Sequence, residues 1–278
     1  MRQLDGRALA AEITQELKAT SADLAAAGVV PTLAIVLFGE DAAAGSYVRS
    51  ITRTAETIDV RCVPRRVPGE TTAEQFLAVI DELDADPAVH GVVVQSPFPP
   101  GLGGVTLDGH LSPAKDVDGA TAASLGRLVE ERDGHVPATA AAVVEILDRA
   151  GVEIRGAHAV VVGRSTVVGK PTALLLLARD ATVTICHLET VDLAAVTRQA
   201  DILVVAIGDP RFIRPEHVRP GAAVIDVGIN FHEGRLVGDV DYEAVAAVAG
   251  ALTPVPGGVG PLTAAMLLRN VLTAAASA

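Results

Sequence analysis

Residues 160–171, VVVGRSTVVGKP, run from an apolar strand pattern through a glycine loop into a helix pattern. A loop of this kind aims the first amides of a helix at a phosphate group. Gly163 and Gly169 stand six residues apart, so the stretch matches neither the G-x-G-x-x-G spacing nor the G-x-x-x-x-G-K-[ST] spacing. The stretch therefore predicts a strand–loop–helix unit of an α/β fold, with dinucleotide binding and a purely structural turn as the alternatives.

Strand patterns alternate with helix patterns on both sides of this stretch. The segments ATVTICH, DILVVAIG and AAVIDVGI follow it, and TLAIVLFG, RCVPRRV and VHGVVVQSPFP precede it. Such alternation predicts parallel sheets with right-handed crossovers. We expect two α/β domains that join near residue 140.

The composition excludes several classes of protein. The 278 residues carry a formal charge of −12, which argues against general nucleic-acid binding. Two cysteines are too few for a disulfide framework or a metal cluster, and we expect no bound metal. The charged, amphipathic N-terminal helix is unlike a signal peptide, and no uncharged apolar run reaches about 18 residues. We therefore expect a cytoplasmic protein without a membrane partner.

Two residues give opposite indications about the nucleotide. Arg164 can bind an adenosine 2′-phosphate through two hydrogen bonds, which favours NADP. The next strand ends in CHLET, residues 186–190, where Glu189 would suit the free ribose hydroxyls of NAD. Glu189 could equally be solvated at the surface. The sequence therefore predicts NADP, with NAD as the alternative.

Three further features are candidates for a ligand site. PGGVGPLT, residues 256–263, holds three glycines, whereas a helix-entry turn explains one; we expect the backbone to approach a flat ligand there. KDVDG, residues 115–119, supplies two carboxylates; no other metal ligand is near in sequence, so a ligand contact and a turn remain the alternatives. Gln95 ends a buried strand, where a polar side chain needs a partner.

The segment GSYVRSITRTAE, residues 45–56, forms a helix pattern with Tyr47 and Ile51 on one face. That face could belong to the core or line a site. An isoleucine in a site would be chemically inert.

Seven motifs occur in the order seen in the bifunctional methylenetetrahydrofolate dehydrogenase/methenyltetrahydrofolate cyclohydrolase family, which the chain resembles over essentially its whole length. They are SYVRS, GVVVQSP, PAKDVDG, VVGRSTVVGKP, ATVTICH, VIDVGIN and TPVPGGVGPLT. The resemblance implies a homodimer. It also implies a folate-binding catalytic domain over 1–139 plus the helix 262–278, a Rossmann-like NAD(P)-binding domain over 140–261, and a cleft between them. Family members oxidise 5,10-methylenetetrahydrofolate, and most then hydrolyse the methenyl cation to 10-formyltetrahydrofolate.

The resemblance also assigns roles to individual residues on the folate side. Tyr47 would stack on the aminobenzoate ring, Gln95 would stand at the reacting carbon, and Asp118 would hold the amino edge of the pterin. The remaining substrate-binding positions would be Val94, Ser96, Pro256, Gly257, Gly258, Val259 and Gly260.

On the cofactor side, the resemblance implies that Gly163, Arg164 and Ser165 bind the phosphates. Ile229 would lie against the nicotinamide end. Leu188 occupies a position where the family usually has a hydroxyl that assists the 2′-phosphate. PATA, residues 137–140, stands where PCTP is usual.

The most informative departure is Ile51, which stands where the family has a catalytic lysine. Hydride transfer needs proximity and no proton donor, whereas hydrolysis needs general acid–base help worth roughly 10²–10⁴-fold. Lys115, Lys170, Arg49 and Arg53 are poor replacements. We therefore predict an NADP-dependent methylenetetrahydrofolate dehydrogenase with weak or absent cyclohydrolase activity. The alternatives are a full bifunctional enzyme, an enzyme for a modified folate, and a non-catalytic folate-binding paralogue.

Overall fold

The computed structural model describes residues 1–39, 44–95 and 98–278, without the side chains of residues 44–47. The described strands are β1 Arg2–Gln3, β2 Thr32–Phe38, β3 Arg61–Val67, β4 Gly91–Val94, β5 His158–Val162, β6 Thr182–Cys186, β7 Ile202–Val205, β8 Ala223–Asp226, β9 Asn230–His232, β10 Arg235–Val237 and β11 Ala251–Leu252. The α-helices are α1 Gly6–Ala26, α2 Ala44–Thr57, α3 Ala73–Ala85, α4 Ala122–Val129, α5 Ala138–Arg149, α6 Gly169–Leu177, α7 Leu193–Thr197, α8 Tyr242–Val245 and α9 Val259–Ala276. Short 3₁₀ helices span Pro100–Leu102 and Pro215–His217.

The backbone divides into two compact units. Unit 1 comprises Met1–Ala11 and Thr139–Thr263, and unit 2 comprises Glu12–Ala138 and Ala264–Ala278. Each unit contains a parallel sheet with helices, which confirms the predicted fold class of two α/β domains.

Unit 1 is built on a six-stranded sheet in the order β1-β11-β8-β7-β5-β6, and every neighbouring pair is parallel. The central strands are continuous apolar runs, and every residue of Ile202–Val205 is buried without exposed surface. Continuous apolar runs are typical of parallel strands, because helices cover both faces of the sheet and both sides of each strand are buried. The antiparallel pair β9 and β10 forms a separate hairpin.

The division differs from the expected one at the N-terminus. Residues 1–11 group with unit 1, whereas we expect from sequence that they belong to the folate domain. The reason is backbone pairing, because Arg2 N–H donates to Gly250 O at 2.8 Å and Leu4 N–H donates to Leu252 O at 2.9 Å. Two residues are too short a strand for a sequence pattern to reveal.

Unit 2 contains a three-stranded parallel sheet in the order β3-β2-β4. Helix α3 packs its buried face, Phe76, Ile80 and Leu83, into the same core cluster as Ala34 and Val36 of β2. The helix begins at a capping box in which Thr72 Oγ1 accepts from Gln75 N–H at 3.2 Å.

Helix α9 is, within the described ranges, the one helix long and apolar enough to cross a membrane. In this structure 61% of those 18 residues are buried, as expected of a core helix. Asn270 on this helix donates from Nδ2 to Val117 O at 2.8 Å and to Val136 O at 3.0 Å. These contacts tie the last part of the chain to unit 2.

Candidate active site

The predicted cofactor residues lie at one edge of the six-stranded sheet. Gly163 directly follows β5, Leu188 lies two residues after β6, and Ile229 lies three residues after β8. Since these strands are parallel, their carboxyl ends meet at the same edge. The chain order reverses at β5, which lies between β6 and β7, and such a reversal is where open α/β sheets bind ligands.

Both glycines of the loop after β5 have a packing role. Gly163 has φ +139°, and a Cβ atom there would collide with the carbonyl oxygen of Ala206. A Cβ atom on Gly169 would collide with the carbonyl oxygen of Gly163. The close approach of backbone to backbone therefore explains the six-residue spacing.

The same loop presents hydrogen-bond donors with no internal partner. Among the described residues, no acceptor is found for the N–H groups of residues 164–167. The hydroxyl of Ser165 accepts from Val168 N–H at 3.1 Å and from Gly169 N–H at 3.3 Å, and it keeps its own proton to donate. The Arg164 side chain is exposed. Free amides and a guanidinium beside a helix N-terminus fit the phosphates of a dinucleotide.

The end of β6 folds into a tight turn. His187 N–H donates to Thr190 Oγ1 at 3.0 Å, and Thr190 N–H donates to His187 O at 2.9 Å. His187 Nδ1 is buried and has no hydrogen-bond partner in the part of the chain that the structure describes. Leu188 is 51% exposed, and Glu189 is exposed beside it. This turn therefore presents an apolar side chain and a carboxylate to solvent.

The glycine-rich loop before α9 packs against its own unit. Gly257 has φ +114°, and a Cβ atom on Gly258 would lie 2.6 Å from Pro254 O. Backbone packing thus explains two of the three glycines that the sequence singles out. The third, Gly260, lies against Ile229, because a Cβ atom there would be 3.7 Å from Ile229 Cδ1. The structure therefore brings two predicted site segments together.

Pro256 and Val259, in the loop before α9 and at the start of that helix, are the remaining predicted residues of this stretch. Pro256 follows Val255 through a cis peptide bond, and Val259 is buried at the start of α9. Ile229 is 63% exposed, so an apolar surface remains open next to Gly260.

In unit 2, Gln95 directly follows β4. Its N–H donates to Val36 O at 3.0 Å, which extends the sheet, and Val94 before it is half-buried. Gln95 Oε1 is buried without a hydrogen-bond partner among the described residues. An unpaired buried acceptor is costly, so this atom fits a ligand contact. Ser96 lies outside the described residues.

The two aspartates of KDVDG have different surroundings. Asp116 pairs with Val92 of β4, and its carboxylate accepts from Ala120 N–H at 3.0 Å and from Thr121 N–H at 2.9 Å. It also accepts from the hydroxyls of Thr121 and Ser124, at 2.7 Å and 2.6 Å. Asp116 is therefore the turn-former, which was one of the two alternatives.

Asp118 has no such partners within the described ranges. Burial, and secondarily the negative charge of Asp116, raise the pKa of Asp118 to about 7. The turn is held in place by Gly119, which has φ +61° and whose added Cβ atom would lie 2.7 Å from Pro137 N. The second carboxylate is thus left available for a ligand.

Helix α2 buries the face that begins at Ile51. Ile51, Ala55 and Ile58 have no exposed surface, and they follow the i, i+4, i+7 spacing of a core face. The side chain of Tyr47 lies outside the described residues. Ile51 is thus fully packed, and a branched apolar side chain gains stability from such burial.

The other candidate amines and guanidiniums are used elsewhere or face solvent. Lys115 Nζ donates to Asp84 O at 2.6 Å and to Asp86 O at 2.7 Å, in agreement with a structural role. Arg49 and Arg53 are exposed on α2.

Sequence analysis missed two buried carboxylates in unit 1. Asp226 ends β8 and Asp239 follows β10, and both are almost completely buried. The one available signal was the glycine near each of them, Gly228 and Gly238.

The family models match most of the chain. Residues 4–118 match the catalytic domain of tetrahydrofolate dehydrogenase/cyclohydrolase, and residues 137–278 match the NAD(P)-binding domain of the same family. Together with the ordered motifs, these matches confirm the family that the resemblance predicts.

Individual proteins are similar over the full length. The bifunctional protein FolD of Parafrankia sp. (strain EAN1pec) is 54% identical over 275 residues, which cover 99% of each chain. The crystal structure of the bifunctional FolD enzyme of Campylobacter jejuni superposes with a TM-score of 0.96 at 38% identity, and covers 100% of this chain and 99% of that one. The Trypanosoma brucei enzyme, solved with NADP cofactor and inhibitor, has a TM-score of 0.90 at 38% identity over 98% and 96%. The chain therefore belongs to the tetrahydrofolate dehydrogenase/cyclohydrolase family.

Proposed function

We propose that the protein oxidises 5,10-methylenetetrahydrofolate to 5,10-methenyltetrahydrofolate by hydride transfer to NADP, with weak or absent cyclohydrolase activity. The observation that carries the second part is Ile51, an apolar, fully buried side chain where the family has a lysine. An isoleucine can neither donate nor accept a proton.

On the cofactor side, the phosphates would be held by the loop after β5. The donors that support this assignment are the Ser165 hydroxyl, the Arg164 guanidinium and the N–H groups of residues 164–167, for which the described part of the chain offers no acceptor. When bound, NADP supplies the hydride acceptor. Ile229 and Gly260 offer an adjacent apolar surface suited to the nicotinamide end.

On the folate side, Gln95 and Asp118 are the polar groups that support the assignment. The unpaired Oε1 of Gln95 would face the reacting carbon. The Asp118 carboxylate would accept hydrogen bonds from the amino edge of the pterin. Tyr47 would stack on the aminobenzoate ring, and residues 256–260 would line the folate.

The two reactions place different demands on these side chains. Loss of a hydride leaves a cation that the substrate's own nitrogens stabilise, so the side chains need only hold the substrate in place. Hydrolysis requires that water lose a proton and that a ring nitrogen gain one. Lys115, the lysine nearest in sequence to Asp118, is committed to Asp84 O and Asp86 O.

A full bifunctional enzyme is the second candidate, and the names of the relatives favour it. The Parafrankia and Campylobacter jejuni proteins are both called bifunctional. In this case a water molecule held by Gln95 would replace the lysine. A non-catalytic folate-binding protein is less well supported, because it has no use for the donors of the β5 loop.

The deciding experiment measures two reactions separately. We expect steady-state oxidation of 5,10-methylenetetrahydrofolate with NADP, more slowly with NAD, and methenyltetrahydrofolate hydrolysis close to the spontaneous rate. Hydrolysis at ordinary enzymatic rates would establish the bifunctional candidate. No oxidation with either cofactor, together with tight cofactor binding in a titration, would indicate a different substrate.

Assembly as a homodimer and location in the cytoplasm remain predictions from the sequence. Sedimentation of the purified protein measures the first of them.

A further inference from the structure

Two carboxylates that the proposed chemistry does not use are buried beneath the strand-end loops of unit 1. Asp226 is 3% exposed and Asp239 is completely buried. Buried carboxylates are expensive unless each oxygen is paired, and apolar residues of similar volume are often at least as stabilising. The hydrogen bonds of each carboxylate therefore show which segments it holds in place.

Asp226 binds the segment that follows its own strand to the segment that follows β10. Its Oδ1 accepts from Gly228 N–H at 3.0 Å and from Asp239 N–H at 3.0 Å, and its Oδ2 accepts from Val240 N–H at 2.9 Å. The N–H of Asp226 donates to Thr253 Oγ1 at 2.8 Å, which adds a contact three residues before Pro256. Burial raises the pKa of Asp226 to about 7 even though its N–H contacts lower it.

Asp239 binds the segment after β7 to the segment after β8. Its Oδ2 accepts from Ile207 N–H at 2.7 Å and from Gly208 N–H at 2.9 Å. Its Oδ1 accepts from Asn230 Nδ2 at 2.8 Å, and Asn230 directly follows Ile229. The carboxylate therefore fixes the residue next to the exposed apolar side chain.

The two carboxylates leave space for nothing larger than glycine in front of them. A Cβ atom on Gly238 would collide with Asp226 Oδ2, and a Cβ atom on Gly228 would collide with the carboxylate of Asp239. Gly238, which directly precedes Asp239, thus packs against Asp226. Gly228, which donates to Asp226, packs against Asp239. Both glycines on either side of Ile229 and Asn230 therefore pack directly against a carboxylate.

We propose that Asp226 and Asp239 are positioning residues that hold the Ile229–Asn230 backbone, and with it the apolar surface at Gly260, in the geometry needed at the nicotinamide end of the cofactor. The inference rests on the proposed function. It assigns these residues no contact with substrate or cofactor. Their effect on the reaction passes through Ile229 and its neighbours.

The mildest perturbation is Asn230→Ala, because it removes one hydrogen bond to Asp239 from a half-buried position and leaves both carboxylates in place. We expect kcat for oxidation to fall about tenfold, because misplacement of a reacting group is costly. The KM for NADP should change little, because other residues hold the phosphates. His232→Ala, on the exposed part of the same hairpin, is the matched control and should keep the activity of the natural chain.

A conservative variant separates positioning from bulk structure. In Asp239→Asn, the side-chain oxygen can still accept from Ile207 and Gly208, and Asn230 can turn its amide so that its oxygen accepts from the new NH₂ group. We expect this variant to keep most of the kcat that Asp239→Ala loses. A rise in the KM for NADP together with a fall in kcat, in both Asp239 variants, would overturn the positioning role.

Amide hydrogen exchange of the cofactor-free protein gives a readout that is independent of activity. Asn230→Ala should speed exchange in the segment 227–232, and His232→Ala should leave the amides of Gly228 and Ile229 unchanged. Unchanged exchange and unchanged kcat in Asn230→Ala would overturn the inference while the proposed function stands. If the natural chain does not oxidise the folate at all, the proposed function fails, and the exchange rates alone decide whether the aspartates hold this segment.

Discussion

Replacement of Ile51 by lysine would test whether one missing amine separates the two reactions of the family. The side chain lies on α2 with no exposed surface, and Ala55 on the same helix and Ile58 just after it are equally buried. Ile51→Lys introduces the residue type that the family resemblance implies at this position. We expect the variant to gain methenyltetrahydrofolate hydrolysis and to retain oxidation.

The size of the effect follows from burial and from acid–base chemistry. Full burial of an isoleucine contributes about 1.5–3 kcal/mol, and desolvation of the new amine adds to the cost of losing it. The free energy of unfolding should therefore fall by a large part of a typical total of about 5–15 kcal/mol. A lysine with limited access to water has a lowered pKa, which leaves more of the neutral amine that accepts a proton. General acid–base help then predicts a rise in hydrolysis of roughly 10²–10⁴-fold.

The assay follows the loss of methenyltetrahydrofolate absorbance above the spontaneous rate, with oxidation measured in parallel. Ile51→Met is the matched control, because methionine has a similar length and volume and cannot exchange a proton. Thermal unfolding of both variants separates a folding defect from a chemical one. The lysine variant should be the less stable of the two.

Two results would refute the reasoning. A folded Ile51→Lys variant that oxidises the folate and hydrolyses no faster than Ile51→Met would mean that the amine is not what the second reaction lacks. Enzymatic hydrolysis by the natural chain would mean that another group, such as a water held by Gln95, already does this work.

Three further predictions concern the pterin, the phosphate loop and the choice of cofactor. Burial raises the pKa of Asp118 to about 7, and it is the ionised carboxylate that accepts the pterin's hydrogen bonds. The KM for the folate should therefore rise as the pH falls below that value. The Asp118→Asn variant should bind the folate weakly, with little dependence on pH. In denaturant unfolding, Gly163→Ala should lower the free energy of unfolding by about 1–3 kcal/mol more than Gly156→Ala does. The new methyl group collides with the carbonyl of Ala206 at position 163 and meets no neighbour at position 156. Leu188→Ser should raise the ratio of kcat/KM for NADP over NAD by about tenfold, because a hydroxyl can donate to the 2′-phosphate.

Each of these has a clear contrary outcome. A pH profile that survives in the Asp118 variant would assign the titration to another group, and Asp226 is the first candidate because burial also raises its pKa to about 7. Equal stability of the two glycine variants would mean that the loop moves aside at little cost. If Leu188→Ala changes the ratio of kcat/KM for NADP over NAD as much as Leu188→Ser does, the smaller side chain rather than the hydroxyl causes the change.

Much of the fold was predictable because it depends on local patterns. The strand residues Val160–Val162 and Ile202–Val205 are continuous apolar runs, and their burial on both faces follows from that composition. Strand β1 was not predictable, because Arg2 and Gln3 are polar, exposed residues that join the sheet through partners far along the chain.

The candidate site was predictable only in outline. The KDVDG pattern by itself does not distinguish Asp116 from Asp118, and the hydrogen bonds from Thr121 and Ser124 show that the first one forms the turn. Asp226 and Asp239 are thirteen residues apart in sequence, and the β9–β10 hairpin lies between them. The N–H of Asp239 nevertheless donates directly to the Asp226 carboxylate. Contacts of this kind leave no periodic signal in the sequence.

The interleaved division of the chain has a consequence for its synthesis. Unit 1 needs residues 1–11 and 139–263, and unit 2 is incomplete until residues 264–278 have been made. Domains that are continuous in sequence can fold one after the other as they leave the ribosome. Here β1 pairs with β11, which is made long after it, and unit 2 includes residues of α9. The two units therefore cannot be completed one after the other as the chain is made.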